Sequence, residues 1–255
     1  VDEKTPMFNT SKHKEIRSDD GSFTAYSAEY DEHYHSTKDG ALNESLCKHV
    51  LPALKHTQDR EEIVILDICF GLGFNTLATL YALKESGKKV RIYSPELDEE
   101  LVRSLENFVY PEEFEEFKAV ILALSRDQRY SSEDLQITLI LGDAREFVKN
   151  TDVKFDIVYQ DAFSPKSNPL LWTSEYFKDI SALMKPDAIL TTYSISLATR
   201  IALHENGLNV YLHTGEGFRS ATIASKSASL EYEKVDVVHK MRCNPEATAL
   251  KDARL

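Results

Sequence analysis

Residues 63–76 read IVILDICFGLGFNT. The first six are apolar and β-branched apart from one acid, Asp67, and have the length of a strand buried on both faces. Gly71 and Gly73 then form a turn. From Asn75 the apolar residues recur at helical spacing through residue 84. A buried strand that turns on glycines straight into a helix is the opening unit of a βαβ fold. The glycines also let backbone come close to a ligand. The full dinucleotide fingerprint has a third glycine, and Thr76 stands in its place, so a pyrophosphate finds a poorer cradle.

The same alternation continues toward the C-terminus. Further strands are predicted at 90–94, 136–141, 155–160, 188–193, 208–213 and 221–224. Helices are predicted at 75–84, 99–108, 112–124, 144–149, 170–184 and 197–205, the last stopped by Asn206-Gly207. This order predicts an α/β, Rossmann-like fold, a seven-stranded and mostly parallel sheet with helices on both faces. The last two strands are joined only by residues 214–220, so they must be antiparallel neighbours. One reversed strand therefore lies near the sheet edge. Residues 1–60 are polar, rich in Tyr and His and weakly periodic, and read as an N-terminal extension or lid. Residues 61–225 form the main domain, and 226–255 a charged tail.

Composition narrows the possibilities. The chain has 255 residues, 42% hydrophobic and 28% charged, ordinary for a globular protein with a good core. No apolar run approaches the ~18 residues of a membrane span, and residues 1–15 lack a signal-peptide core. Three cysteines, Cys47, Cys69 and Cys243, are too few and too scattered for a disulfide framework, which fits a reducing, cytoplasmic setting. Cys69, in an apolar run, reads as a small core residue. His33, His35 and His49 match no zinc spacing, so they read as part of a polar segment and no metal is expected. A net charge of −12 argues against broad, non-specific nucleic-acid binding but leaves room for a local basic patch. The acid-rich stretch 95–116, with its PEEFEEF, reads as a solvated helical face.

In open α/β sheets, ligands sit at the carboxyl ends of the strands. Here those ends carry acids. Asp67 lies inside the first strand, which is costly unless it is paired. Glu96 ends the second strand roughly 20 residues beyond the glycines, where an acid can accept two ribose hydroxyls. Asp143 follows the third strand, placed to cap the next helix and also to accept from a purine amine. Asp161 follows the fourth. Phosphate favours cations and helix N-termini, so four carboxylates are a poor phosphate site. They suit a cation rich in donors. S-adenosylmethionine has a sulfonium, an ammonium, a ribose diol and an adenine amine. Singly each acid reads as structural; together they favour adenosylmethionine over a dinucleotide.

Several stretches carry a family resemblance: HYHSTKDGALNES (33–45), ILDICFGLGFNTL (65–77), QDAFSPKSNPLLWTSEYF (160–177), TTYSISLATRIAL (191–203) and GEGFRSATIA (215–224). The most specific is the element DAFSPKxNPxxW. On these, residues 22–224 resemble the methyltransferase domain of the MnmC tRNA wobble-uridine modification enzymes. The resemblance implies a class I S-adenosylmethionine-dependent methyltransferase acting on tRNA. Its expected reaction is N-methylation of 5-aminomethyl-(2-thio)uridine at the wobble position to the 5-methylaminomethyl form. Bifunctional members continue into a flavin oxidoreductase domain; this chain ends where that domain would begin, and so looks like a stand-alone methyltransferase. The resemblance places Gly71, Gly73 and Asn75 at the cofactor beside the acids, and Tyr34 and Glu44 in a lid over it. Asp67 and Cys69 stand where the family has Glu and Gly. A cysteine there costs backbone freedom if the position needs a positive φ.

The nucleophile must be a neutral amine, whereas a primary alkylamine is mostly protonated at neutral pH, by analogy with lysine. Asp161 is expected to hold the amine, orient its lone pair and take its proton directly or through water. Pro165 and Pro169 restrict the loop behind it. A carboxylate is a weak base, so positioning is expected to contribute more. Phe163 either walls the site, stacks on the uracil or packs the loop; Trp172 reads as a hydrophobic anchor. Lys166, Arg200 and Arg219 fall near strand ends and are the candidate tRNA phosphate contacts, although each alone reads as a surface cation. A spermidine-synthase-like aminopropyltransferase, or another small-amine N-methyltransferase, shares the fold and an acid-lined site, but DAFSPKxNPxxW fits the former poorly. Intact acids at all four strand ends argue against a non-catalytic adaptor.

Overall fold

The computed structural model describes Phe8 and residues 12–255. A small antiparallel sheet comes first: β1 (His13–Arg17), β2 (Phe23–Ser27) and β3 (Glu32–His33). Next comes one helical rod. It is made of α1 (Ala41–Glu44), a wider π-helical stretch (Ser45–Val50) and α2 (Leu51–His56). The wide stretch sits just before Pro52, whose ring removes an N–H from the ladder.

The main body then alternates. Its first half holds β4 (Glu62–Ile68), α3 (Phe74–Leu83), β5 (Lys89–Glu96), α4 (Glu99–Ser104), α5 (Lys118–Asp127), β6 (Arg129–Ser131) and β7 (Leu135–Leu141). Its second half holds α6 (Ala144–Asn150), β8 (Phe155–Gln160), α7 (Ser174–Leu183), β9 (Met184–Thr192), α8 (Leu197–Glu205), β10 (Asn209–Gly215) and β11 (Phe218–Ser225). The chain finishes with β12 (Glu233–Lys234) and α9 (Val237–Cys243).

Among the described residues, the large sheet has nine strands in the order β12-β10-β11-β9-β8-β4-β5-β7-β6. The seven predicted strands are all present, and within that set only β11 is reversed, antiparallel to both β9 and β10. The expectation of seven strands is short by two. The edges β6 and β12 add antiparallel partners of three and two residues, too short to show any apolar period.

The central strand shows why both sheet faces are covered. Ile63 and Ile65 of β4 join one apolar cluster, with Phe74 and Leu77 of α3. Val64, Leu66 and Ile68 join the other, with Phe177 and Ile180 of α7. Successive side chains point to opposite faces, so a continuous apolar run serves two cores. Each such buried side chain contributes about 1.5–3 kcal/mol.

Three helix expectations differ in detail; the 170–184 helix starts only at Ser174, after a 3₁₀ turn at Pro169–Trp172. The 99–108 helix closes early, in a 3₁₀ turn at Leu105–Asn107. The segment Glu112–Phe117 is 3₁₀ rather than α, and Phe114 is its buried residue while its glutamates face solvent. Both chain ends differ more. The rod 41–56 packs on α3, β9 and β11, so it belongs to a helical layer of the sheet. The small β1–β3 sheet and the segment that follows it lie over the strand-end loops, with Glu44 at the start of the rod reaching the same cavity. The tail is also docked. β12 pairs with β10, α9 packs on α8, Leu250 bridges Thr173, and Asp252 makes a two-pronged ion pair with Arg145 at 2.8 and 2.6 Å.

Candidate active site

Strands β4, β5, β7 and β8 are mutually parallel, so their carboxyl ends share one rim. The loops that follow line a cavity of about 710 Å³. Gly71, Glu96, Asp143 and Asp161 line its floor, and Tyr34, Glu44, Phe163 and Arg219 line it from other elements. Asp67, Gly73, Asn75, Lys166 and Arg200 lie off its wall.

The loop after β4 is tightly constrained. Gly71 has φ 56°, and a Cβ there would lie 3.1 Å from the Tyr34 ring. Gly73 has φ 77° and begins α3; a Cβ there would lie 2.7 Å from the Phe70 ring. The absence of a side chain at Gly73 therefore makes room for Phe70. Cys69 has φ 64°, left-handed backbone that disfavours any side chain. Cys69, read as a small core residue, does pack on the second apolar cluster, but it lies past the end of β4, is only partly buried and also lines the cavity. Burial pushes its thiol pKa up.

The four acids have different surroundings. Asp67 is 1% exposed; its Oδ2 accepts from Thr76 Oγ1 at 2.7 Å, and its Oδ1 has no partner among the described residues. Burial, helped by the nearby Asp161 charge, pushes its pKa up to about 7. It sits beneath the cavity rather than in it. Glu96 accepts from the backbone N–H of Gly71 at 2.8 Å and of Asp98 at 2.9 Å, which ties the ends of β4 and β5 together. Burial raises its pKa against those two hydrogen bonds. Asp143 caps α6, accepting from Arg145 N at 2.7 Å, and still lines the cavity.

Asp161 is the most closely held. Its Oδ2 accepts from Asn75 Nδ2 at 2.9 Å, and its Oδ1 lies 3.4 Å from His49 Nε2. Burial raises its pKa, but His49, His35 and the Asn75 amide outweigh that and hold it below the usual carboxylate range. It therefore stays ionised at neutral pH. Asn75, off the wall of the large cavity, reaches the site through this contact and lines a small hollow beside it with Tyr34, Cys69 and Gly71.

The small sheet clamps the loop after β8. Tyr30 stacks on Phe163 with ring centroids 4.7 Å apart, and Tyr34 packs on it at 4.9 Å. Glu32 accepts from Ser164 N at 3.0 Å, from Ser167 Oγ at 2.7 Å and from Ser164 Oγ. From below, Trp172, 1% exposed, donates its indole N–H to Phe163 O at 2.7 Å, and Tyr193 donates to Ala162 O at 2.9 Å. Of the three readings of Phe163, loop packing is visible in these contacts and walling of the site in its place on the cavity lining. Glu44 accepts from Ser36 N at 2.6 Å and from Lys48, so it fastens the lid's last segment to the rod.

The three candidate phosphate contacts separate. Lys166 is exposed on the loop, outside the cavity wall. Arg219 is exposed at the rim, 3.4 Å from Asp39. Arg200 is corrected: it is 7% exposed, donates to Thr222 Oγ1 at 3.1 Å, and its Nη2 has no partner among the described residues. A side chain so buried is no surface cation.

Sequence reasoning missed His49, Tyr30 and Glu32. All three lie in the weakly periodic opening segment, and each acts through a partner more than 100 residues away, which no local pattern reports. Among the described residues, no group of His, Cys, Asp and Glu is arranged to hold a metal. No described helix is long and apolar enough to cross a membrane.

Sheet order, glycine turn and acid-lined rim together define a class I S-adenosylmethionine-dependent methyltransferase. A family model described as S-adenosyl-L-methionine-dependent methyltransferase matches residues 112–227. The crystal structure of MnmC2 from Aquifex aeolicus is 32% identical and superposes with a TM-score of 0.84, over 96% of this chain and 81% of that one. The chain belongs to the MnmC2 methyltransferase family. It is also 30% identical to an uncharacterized protein of Methanocaldococcus jannaschii, over 89% of this chain and 63% of that protein. The bifunctional tRNA 5-methylaminomethyl-2-thiouridine biosynthesis protein MnmC of Azoarcus sp. is 30% identical over 76% of this chain and 32% of its own length. The chain thus spans about a third of such bifunctional relatives.

Proposed function

We propose that the chain N-methylates 5-aminomethyl-(2-thio)uridine at the tRNA wobble position, forming the 5-methylaminomethyl product. One observation carries this reading: Asp161, ionised, held by a hydrogen bond from Asn75 and next to His49, faces the same cavity as Glu96 and Asp143. The named activity of the MnmC relatives supports it.

The residues present fit the cofactor. Glu96 and Asp143 offer carboxylate oxygens to a diol and an amine, and Leu97, 61% exposed, gives an apolar wall between them. Gly71 lacks the Cβ that would narrow the approach. When bound, S-adenosylmethionine supplies a methyl group activated by a positive sulfur. The protein's part is to hold the amine. Asp161 attracts the incoming ammonium, and its fixed oxygens set the direction of the nitrogen. The aromatic pair Tyr34 and Phe163 excludes water from that side. Arg219 and Lys166 sit at the rim and on the loop, where tRNA phosphates would pass.

The test is incubation with labelled methyl donor and tRNA carrying 5-aminomethyl-uridine, followed by mass analysis of wobble nucleosides. Appearance of the methylaminomethyl nucleoside is expected. Label transfer to a small amine such as putrescine, with none to tRNA, would replace this reading with a small-amine transferase.

A further inference from the structure

His49 is fully buried, and one of its ring nitrogens makes no hydrogen bond among the described residues although Asp161 lies close to it. It sits in the π-helical stretch Ser45–Val50, where the wider turn alters the aim of side chains. Its Nδ1 lies 3.0 Å from Thr191 Oγ1 on β9. Its Nε2 lies 3.4 Å from Asp161 Oδ1 and has no hydrogen-bond partner among the described residues. A buried polar atom left unpaired is costly and asks for a role.

The groups around the ring come from every neighbouring element. Asp161 follows β8, and the Tyr159 ring of β8 stands edge-on at 6.0 Å. Thr191 comes from β9 and Asp67 from β4. His35 comes from the lid and His213 from β10. Asp161 lies against the ring, and Asp67 is near enough to interact with it through space.

Methylation of an alkylammonium needs a proton acceptor, and a carboxylate such as Asp161 is by its ordinary pKa a weak base. We propose that His49 is the proton-accepting residue behind Asp161. An ammonium N–H bond breaks and its electron pair stays on nitrogen. The proton crosses Asp161 Oδ1 and forms a new N–H bond with the lone pair of His49 Nε2, while Nδ1–H donates to Thr191. The charge lost by the amine reappears on the imidazole beside Asp161, so the pocket's net charge is unchanged. This step rests on the amine reading above.

Single-turnover methylation of aminomethyl-uridine tRNA from about pH 6 to about pH 10, with saturating cofactor, compares wild type with His49→Gln. The variant is expected to be roughly 100-fold slower at pH 7. It should converge on wild type as pH nears the ammonium's own pKa, about 10.4 by analogy with lysine. An equal loss at every pH marks a structural role and overturns the proposal, as does no loss. If the variant does not fold, ¹⁵N spectra of the wild-type imidazole decide. A proton on Nδ1 and a bare Nε2 support the relay; a proton on Nε2 in the resting protein overturns it. Wild-type inactivity toward this tRNA overturns the reading of the substrate instead, and the spectra still decide whether Nε2 is able to accept.

Discussion

The side-chain amide of Asn75 donates to Asp161 Oδ2 at 2.9 Å, joining the first turn of α3 to the loop after β8. The two residues are 86 positions apart, and the bond ties two of the strand-end segments together. It occupies one carboxylate oxygen and leaves the other beside His49. The carboxylate's orientation is therefore set before any substrate arrives.

Asp161→Asn should abolish turnover while the fold survives. The change keeps shape but removes the charge that attracts and aims the amine. A loss of about 10²–10⁴-fold in single-turnover rate is expected, with an unchanged melting profile. Near-normal turnover would take Asp161 out of the chemistry.

Glu96→Ala should act on cofactor affinity. It removes the acceptor for Gly71 N and Asp98 N as well as the oxygens that face the cavity. Hydrogen bonds to a charged group are worth about 1.5–3 kcal/mol, so the dissociation constant should rise about 10- to 100-fold by calorimetry. The rate at saturating cofactor should change far less. A rate loss with unaltered affinity would assign Glu96 to another task.

Cys69→Gly should stabilise the protein. Left-handed backbone costs a side chain about 1–2 kcal/mol, and glycine returns about 0.5–1 of that through its freer unfolded state. The expected gain is about 0.5–1 kcal/mol, or a rise of about 2–3 °C in Tm. A lower Tm would mean that the thiol's packing outweighs the strain at φ 64°.

Asp67 should leave a signature in stability against pH. Its folded pKa is raised to about 7, above the unfolded value near 3.9. The folded state therefore binds the extra proton between those values, and stability from this group is full below about pH 4 and lost as pH rises through about 7. Denaturant unfolding of Asp67→Asn and wild type should diverge in the variant's favour over that window, then run parallel. A constant difference from pH 4 to pH 8 would show that Asp67 is not titrating there.

Arg219 and Arg200 should behave oppositely. Arg219→Gln should leave Tm unchanged and, if the rim meets phosphate, reduce the salt slope of tRNA binding by about 1. Arg200→Ala should leave that slope unchanged and cost about 1–3 kcal/mol of stability, because it empties a buried space beside Thr222. A salt-slope change in the Arg200 variant would restore it as a docking residue.

The strands, the glycine turn and the acids at the strand ends were legible in the chain alone. Each depends on neighbours a few residues apart: an apolar run long enough for one strand, two glycines, an acid where the run stops. A parallel sheet then brings those ends together, so Glu96, Asp143 and Asp161 were readable as a group. Only the tertiary structure decided that Asp67 lies under the cavity and that Arg200 is buried. It alone also revealed that Cys69 is left-handed and that His49 reaches Asp161. These outcomes depend on which faces meet across long stretches of chain, on the backbone angle forced at one turn and on the depth of packing. None of these leaves a period or a local spacing in the sequence.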